Sequence, residues 1–434
     1  MTHNTVTRRG FLSTGLTLGG AALLSGCVGA NSSSSATSGA VASGAATAPL
    51  TLQSSMSDQK PKAALEALVA NYKGTRPTLN TVALEQFRAQ LSTYLTSADA
   101  PDVLTWYAGS AARDYASQGL LLDVSDLWTG NGPCANYSPA LKSLSTAQDG
   151  KQVFVPTNYY WWSVFYKKSA FQKWGVEPPK TWDEFIALCQ TLKAKGVSPL
   201  AQGTGSSAWM ASGWFDYLNL RINGAAFHRE LLAGQHPFTS PQVTKVLEEY
   251  RRIIPFFDPN YASYSFQEAV TPMIRDKSAM YLIGAFVTQF FPAGQQDDLD
   301  FFSVPAIDPA VPSAEEAPTD GYFASAHTKN AAGAKELLRH LASPQSQQKF
   351  IELSGSSNLP TSPDVDTSKF SPLVKKGIEL LGSAKDITQF FDRDSSDALQ
   401  STADAALTRF LHDPSDITGV LADWQKAAQK VFKP

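Results

Sequence analysis

Cysteine is scarce in this 434-residue chain, which holds Cys27, Cys134 and Cys189 and no others. That excludes a disulfide-stapled scaffold, which crowds its half-cystines into a short chain. Charge is scarce as well. Charged residues make up 17% of the chain and the formal net charge is −3, so there is no basic excess to meet a phosphate backbone, and nucleic acid is not an expected partner. The six histidines show no H-x-x-H or H-E-x-x-H spacing, which gives zinc no motif, and we expect neither a metal nor a cofactor. No G-x-S-x-G nucleophile elbow occurs, so a serine hydrolase of that type has no support. The Gly-rich stretch Gly203-Thr204-Gly205-Ser206-Ser207-Ala208 matches a dinucleotide fingerprint only loosely and reads as a flexible strand-to-helix turn. The apolar stretch from Leu12 to Leu24 is diluted by glycine and falls short of the roughly 20 residues a membrane span needs.

Aromatic residues, by contrast, are plentiful: 11% of the chain, nine of them tryptophan. They concentrate in Tyr159-Tyr160-Trp161-Trp162, which follows Pro156-Thr157-Asn158 and leads into Val164 to Tyr166. Neighbouring strand side chains point to opposite faces, so no single face can take all four rings. One reading is a thick core strand. The other is a strand that leaves one domain for the next and bares rings in the cleft it crosses, where they suit the C–H faces of sugars. Plain alternation puts Tyr160 and Trp162 on one face, Tyr159 and Trp161 on the other.

The N-terminus carries the most specific motif. Thr7-Arg8-Arg9-Gly10-Phe11-Leu12 sets paired arginines before the short apolar stretch, as in a twin-arginine export signal. Leu24-Ser25-Gly26-Cys27 follows and resembles a lipobox, making Cys27 a lipid anchor and 1–27 a lipoprotein signal. Residues 28–49 are nearly all Ser, Ala, Gly and Thr and read as a flexible tether. Cys134 and Cys189 then allow a single pairing in an exported chain, while Cys189, among Phe185, Leu188 and Leu192 of a helix pattern, has a buried free thiol as its commoner role. A chain this long favours two lobes. From Leu50 onward strand and helix patterns alternate, which argues for open α/β sheets with ligands at the carboxyl ends of strands. We expect a helix over 58–72 with Leu65, Leu68, Val69 and Tyr72 on one face, and strands over 79–84, 101–106, 197–201, 277–286 and 301–305. A Pro- and acid-rich loop is expected to run on to Asp320, and helices to fill the last quarter. Thr181-Trp182-Asp183-Glu184 and Ser265-Phe266-Gln267-Glu268 fit capping boxes. Trp106 and Tyr107 fall at the end of one expected strand, and Trp209, Trp214 and Asp216 crowd a helix start. Asp216, Asp320 and Asp392 are the acids that stand beside aromatics, so a glycosidase pair is possible in principle and unsupported by any motif.

Several segments together resemble the family 1 extracellular solute-binding proteins of ABC importers, in their sugar-binding branch. They are Pro101 to Trp106, Val153 to Lys168, Pro179 to Glu184, Lys195 to Leu200, Ala279 to Gly284 and Phe302 to Ile307. The resemblance implies an α/β, two-lobed periplasmic-binding-protein-like fold (type II) with crossover hinge strands. It divides the chain into 50–157 with 304–358 as one lobe, and 158–303 with 359–434 as the other. It implies no enzyme, a mono- or oligosaccharide held between the lobes, an ABC permease as membrane partner, and a monomer outside the cytoplasmic membrane. By position it points to Tyr160 and Trp161, then Tyr159, in the first crossover. Trp106 and Tyr107 would face the sugar from the first lobe. Trp209, Trp214, Asp216 and Phe286 would face it from the second. Asp320-Gly321 lies near the second crossover and Asp392-Arg393 in the C-terminal helices, as ligand contacts or as a structural ion pair. This chain departs from many relatives at Gln53-Ser54-Ser55, where they place an aromatic. A secreted carbohydrate hydrolase and a receptor for a non-sugar solute are the competing readings.

Overall fold

The computed structural model describes residues 49–432. The paired arginines, Cys27 and all of the expected tether except Pro49 lie outside them. The strands in chain order are β1 Thr51–Ser54, β2 Thr78–Thr81, β3 Val103–Tyr107, β4 Val155–Tyr159, β5 Trp162–Lys167 and β6 Ser198–Ala201. They continue as β7 Ser278–Gly284, β8 Leu299–Phe302, β9 Ala314–Glu316, β10 Thr319–Ala324, β11 Leu359–Pro360 and β12 Asp386–Thr388.

Two sheets organise two α/β lobes. One has the order β11-β4-β10-β3-β1-β2 and the other β6-β7-β5-β8, with a small β12-β9 ribbon beside them. β1 pairs parallel with both β2 and β3, and each such step is spanned by a helix, Gln59–Asn71 or Leu84–Thr96, as parallel pairing demands. The helix expected over 58–72 buries Leu65, Leu68 and Val69. β3, β5 and β7 are buried on nearly every residue, which is why they read as continuous apolar runs rather than alternating ones.

The chain changes sheet between β4 and β5. Tyr159 still pairs with Thr319 and Leu359 in the first sheet, whereas Trp162 pairs with Gly284 in the second. Tyr160 and Trp161 are therefore the residues that cross. The second passage leaves β8, runs through β9 and returns in β10. The third leaves β11 for the helix Pro372–Ser383, which lies close on Trp161. A Cβ at Gly377 would come within 2.5 Å of that indole, so only glycine permits this approach.

The stretch before Asp320 is not the loop that its composition implies. It contains β9, and Asp320 lies inside β10. Glu315 and Glu316 are buried rather than solvated. Glu315 tolerates burial because Arg221 Nη2 (2.6 Å) and Ser303 Oγ (2.8 Å) donate to its Oε1, and a buried charge persists only when so paired. The strand expected over 79–84 also ends early, at Thr81, because Leu84 already begins the next helix. The capping box at Thr181 and Glu184 forms, and Ser265 and Glu268 bond reciprocally. Cys134 and Cys189 are buried, free thiols.

Candidate ligand-binding site

A cavity of about 160 Å³ lies between the two sheets. Its walls come from strand ends and from the crossovers. The end of β3 supplies Trp106 and Tyr107, stacked at 4.4 Å, with Phe87 behind Trp106 at 5.9 Å. The first crossover supplies Tyr160 and Trp162. Phe286 follows the end of β7 and meets Tyr160 edge-on at 5.2 Å. Trp209 and Phe266 complete this aromatic wall, 5.4 Å apart. Gly284 permits the close approach of Phe286 and Tyr160, since a Cβ there would fall 2.5 Å from the first ring and 2.8 Å from the second.

The polar floor is built around Arg393. Its Nη2 donates to Tyr160 Oη (2.8 Å) and to Asp320 Oδ1 (3.0 Å), and its Nη1 donates to Asp392 Oδ1 (2.5 Å). The guanidinium also lies 3.8 Å over the Tyr107 ring, a cation–π contact strengthened by exclusion of water. Arg88 donates to the other oxygen, Asp392 Oδ2, at 2.8 Å. Burial works against the charges of Arg88 and Arg393, but Asp392 outweighs it and both guanidiniums stay charged. Burial likewise opposes ionisation of Asp392, yet Arg393 and Arg88 hold its carboxyl below the ordinary range. Asp320 is pushed upward by burial, with Arg393 opposing. Within this array two cations face two carboxyls, and Asp58 adds a third carboxyl on the cavity wall, so no cationic surplus is left to attract an anion. The indole N–H groups of Trp106 and Trp162 and Nε of Arg393 are buried without a protein partner. Unpaired donors of this kind cost free energy until a ligand's oxygens meet them.

Among the residues singled out from the sequence, the cavity brings together Trp106, Tyr107, Tyr160, Trp209, Phe286, Asp320, Gly321, Asp392 and Arg393. Four others stand elsewhere. Trp161 packs against Phe165 and Phe301 in the second lobe's core, and Trp214 packs against Phe185. Asp216 is fully buried and accepts from the Phe391 backbone N–H (2.9 Å). Tyr159 is partly buried against the second lobe's core and is absent from the cavity wall. The cavity also takes residues that sequence reasoning passed over: Arg88, Asn158, Trp162, Phe266, Asn358 and the Ser55–Asp58 turn. Trp162 was legible as the alternation partner of Tyr160. Arg88 sits inside an ordinary amphipathic helix and gives no signal of its own. Ser55 lies just past the end of β1, where its hydroxyl stands 3.1 Å from Thr105 Oγ1.

The model of the family described as bacterial extracellular solute-binding protein matches residues 55–348. An uncharacterised ABC transporter extracellular-binding protein of Pyrococcus horikoshii is 25% identical over 351 residues, covering 79% of this chain and 75% of its own. The alpha-glucosides-binding periplasmic protein AglE of Rhizobium meliloti is 26% identical, with 69% of each chain covered. Among solved structures, the bacterial solute receptor AcbH, described as having an exclusive substrate preference for β-D-galactopyranose, superposes with a TM-score of 0.84 at 31% identity. That superposition covers 89% of this chain and 99% of the other. A chitin oligosaccharide binding protein shares the fold, with a TM-score of 0.80 at 21% identity over 89% of this chain and 99% of its own.

Proposed function

The chain belongs to the bacterial extracellular solute-binding protein family, and from that premise we propose that it is a carbohydrate receptor for an ABC importer. The observation that carries the reading is the ring-walled cavity bridging both lobes, whose two guanidiniums are already engaged by carboxyls. Aromatic faces offer contact to pyranose C–H groups, the unpaired indole and guanidinium N–H groups offer donors to hydroxyls, and Asp320 offers an acceptor. A neutral polyol fits this array better than a phosphorylated solute, because each guanidinium is already engaged by a carboxylate. The cavity's 160 Å³ is below the ~300–1,000 Å³ that larger ligands occupy, which favours a single sugar ring over an oligosaccharide. The relatives' sugar preferences, β-D-galactopyranose for AcbH above all, name the first ligands to try.

Hydrolysis of the bound sugar is disfavoured by the same geometry. A glycosidase needs one carboxyl free to hold a proton and another free to act as base or nucleophile. Asp320 and Asp392 both lie on Arg393, which leaves Asp58, among the described residues, as the one lining carboxyl off that guanidinium and no second free carboxyl to complete a pair. Titrating the mature chain with monosaccharides and oligosaccharides, followed by Trp fluorescence, tests the binding reading. We expect saturable binding of a hexose, weaker binding of trisaccharides, and unaltered sugar on chromatography after long incubation. Silence towards every sugar would overturn it, and release of a smaller sugar would establish an enzyme. The anchor belongs to this reading too. With Cys27 acylated the receptor fractionates with membranes, and Cys27→Ser releases it. An unchanged distribution would remove the lipid.

A further inference from the structure

We propose that Asp216, His228 and Glu316 form a buried site for one divalent transition-metal ion, of which zinc fits the donors best. The site stands apart from the sugar cavity and does not depend on the sugar reading. Asp216 comes from the helix Met210–Ile222, His228 from the helix Gly224–Leu232 and Glu316 from the end of β9. One potential ligand atom from each lies within 4.8 Å of the others, and all three residues are 0% exposed.

The second observation is what these side chains leave unpaired. With both carboxyls ionised, His228 Nε2, Asp216 Oδ1 and both carboxylate oxygens of Glu316 have no hydrogen-bond partner, whereas a proton on either acid bonds Asp216 to Glu316. Four orphaned polar atoms at one fully buried point are costly, because each forfeits its hydration without replacement. Two carboxyls and an imidazole sealed together in this way can be completed by a proton shared between the carboxyls or by a cation. A shared proton bonds Asp216 to Glu316 but leaves His228 Nε2 alone, whereas a metal ion takes all three.

Donor type selects the metal. Calcium and magnesium want oxygen throughout, while an imidazole with two carboxylates suits zinc and its neighbours. Tetrahedral zinc with bonds of ~2.0–2.2 Å sets its ligand atoms roughly 3.4 Å apart, so the three side chains draw in slightly on binding. His228 Nδ1 is 3.2 Å from the Asn219 amide. Asn219 Oδ1 accepts from Asn223 Nδ2 at 2.8 Å, so a half-turn of both amides together is what lets Asn219 Oδ1 accept from Nδ1–H and frees the Nε2 lone pair for the ion, a common outer partner of metal-bound histidine. Because the site is sealed, the ion is acquired as the chain folds.

The test uses the untagged mature chain, stripped with chelator. It is loaded with zinc in two ways, by incubation and by refolding, then washed with a weak chelator and assayed by elemental analysis. The expected result is one zinc per chain, a zinc-dependent rise in Tm, and at least 100-fold weaker zinc affinity in His228→Gln and in Glu316→Gln. No retained ion by either route would overturn the site and leave a proton-sharing carboxyl pair. One ion retained equally by both variants would also overturn it, since the ion would then sit elsewhere. If neither variant folds, X-ray absorption of the loaded parent decides. One imidazole nitrogen with carboxylate oxygens at ~2.0–2.1 Å supports the site, and sulfur or multiple imidazoles refute it.

Discussion

Arg393 is the residue on which the cavity's polar geometry turns. Its planar fork meets Tyr160, Asp320 and Asp392 at once while its face covers Tyr107. An ammonium on a flexible stem keeps the charge but cannot hold that pattern. We expect Arg393→Lys to weaken sugar binding by about 10–100-fold, since it removes charge-assisted bonds worth roughly 1.5–3 kcal/mol each when buried. Isothermal titration reads this directly, and affinity within threefold of the parent would show that the fork is not required. Trp106 invites a finer test. Trp106→Phe keeps a ring against Phe87 and Tyr107 but deletes the unpaired N–H, so binding should weaken by about 0.5–1.5 kcal/mol with little change in Tm. Unaltered affinity would mean the indole N–H meets no hydroxyl. At this scale the sequence was partly legible. Alternation by itself paired Tyr160 with Trp162, and both line the cavity. The resemblance pointed to Tyr160 with Trp161, and of these Tyr160 lines the cavity while Trp161 is buried under Gly377. Strand periodicity survives the passage between sheets even where strand hydrogen bonding does not.

The helix Asp397–His412 shows how an element carries the site's electrostatics. Its Asp404 lies in the field of Arg88, Asp392 and Glu85 and accepts from Gln400 Nε2 at 2.6 Å. Burial, only partly offset by Arg88 and Gln400 and aided by Asp392 and Glu85, raises its pKa from the ordinary 3.8 to about 6. Between those values the folded chain holds a proton that the unfolded chain has released. Stability from this group is therefore largest below pH 4 and is lost as pH rises through about 6. Asp404→Asn should flatten that slope and raise stability at pH 7 by an amount on the order of 1–2 kcal/mol, measured by urea unfolding across pH 4–8. An unchanged slope would show that Asp404 does not titrate there. Trp161 supplies the contrasting case of an aromatic that belongs to packing. Trp161→Ala should cost about 3–5 kcal/mol of stability while folded molecules keep sugar affinity within threefold, and a selective loss of affinity would return Trp161 to the site. Elements were well legible wherever burial was uniform, as in β3, β5 and β7. β9 and β10 were not, because Glu315, Glu316 and Gly321 break every apolar pattern. Their strand character comes from tertiary partners: Arg221 on Glu315, and for Gly321 a backbone so close to Val155 that a Cβ would fall 2.1 Å from its carbonyl oxygen.

For the molecule as a whole, the question is how ligand couples the lobes. Bonds cross between them beside the cavity. Arg88, on a helix of the first lobe, donates to Asp392. Trp209 Nε1 in the second donates to Glu85 at 3.0 Å, and Lys60 Nζ donates to the Gln289 carbonyl at 2.6 Å. Two-lobed alternation was readable from length and pattern, but these contacts were not, since each joins residues more than a hundred positions apart with no shared periodicity. They tie the lobes together around the cavity, and on the receptor reading we expect them to form on the liganded side of a hinge equilibrium. A ligand shifts such an equilibrium only by its differential affinity for the two states. Weakening a cross-lobe bond raises the share of open molecules and lowers apparent affinity by that share, without touching the sugar's own contacts. Glu85→Gln keeps an acceptor for Trp209 but removes the charge, so it should loosen closure while leaving the cavity wall intact. We expect several-fold weaker sugar binding, seen mainly as faster dissociation. Small-angle scattering should show a wider sugar-free ensemble that contracts to the parent's dimensions at saturating sugar. If scattering and dissociation rate both match the parent, the Glu85–Trp209 bond plays no part in closure. If instead the saturated variant stays wide, the bond is needed to complete the closed form.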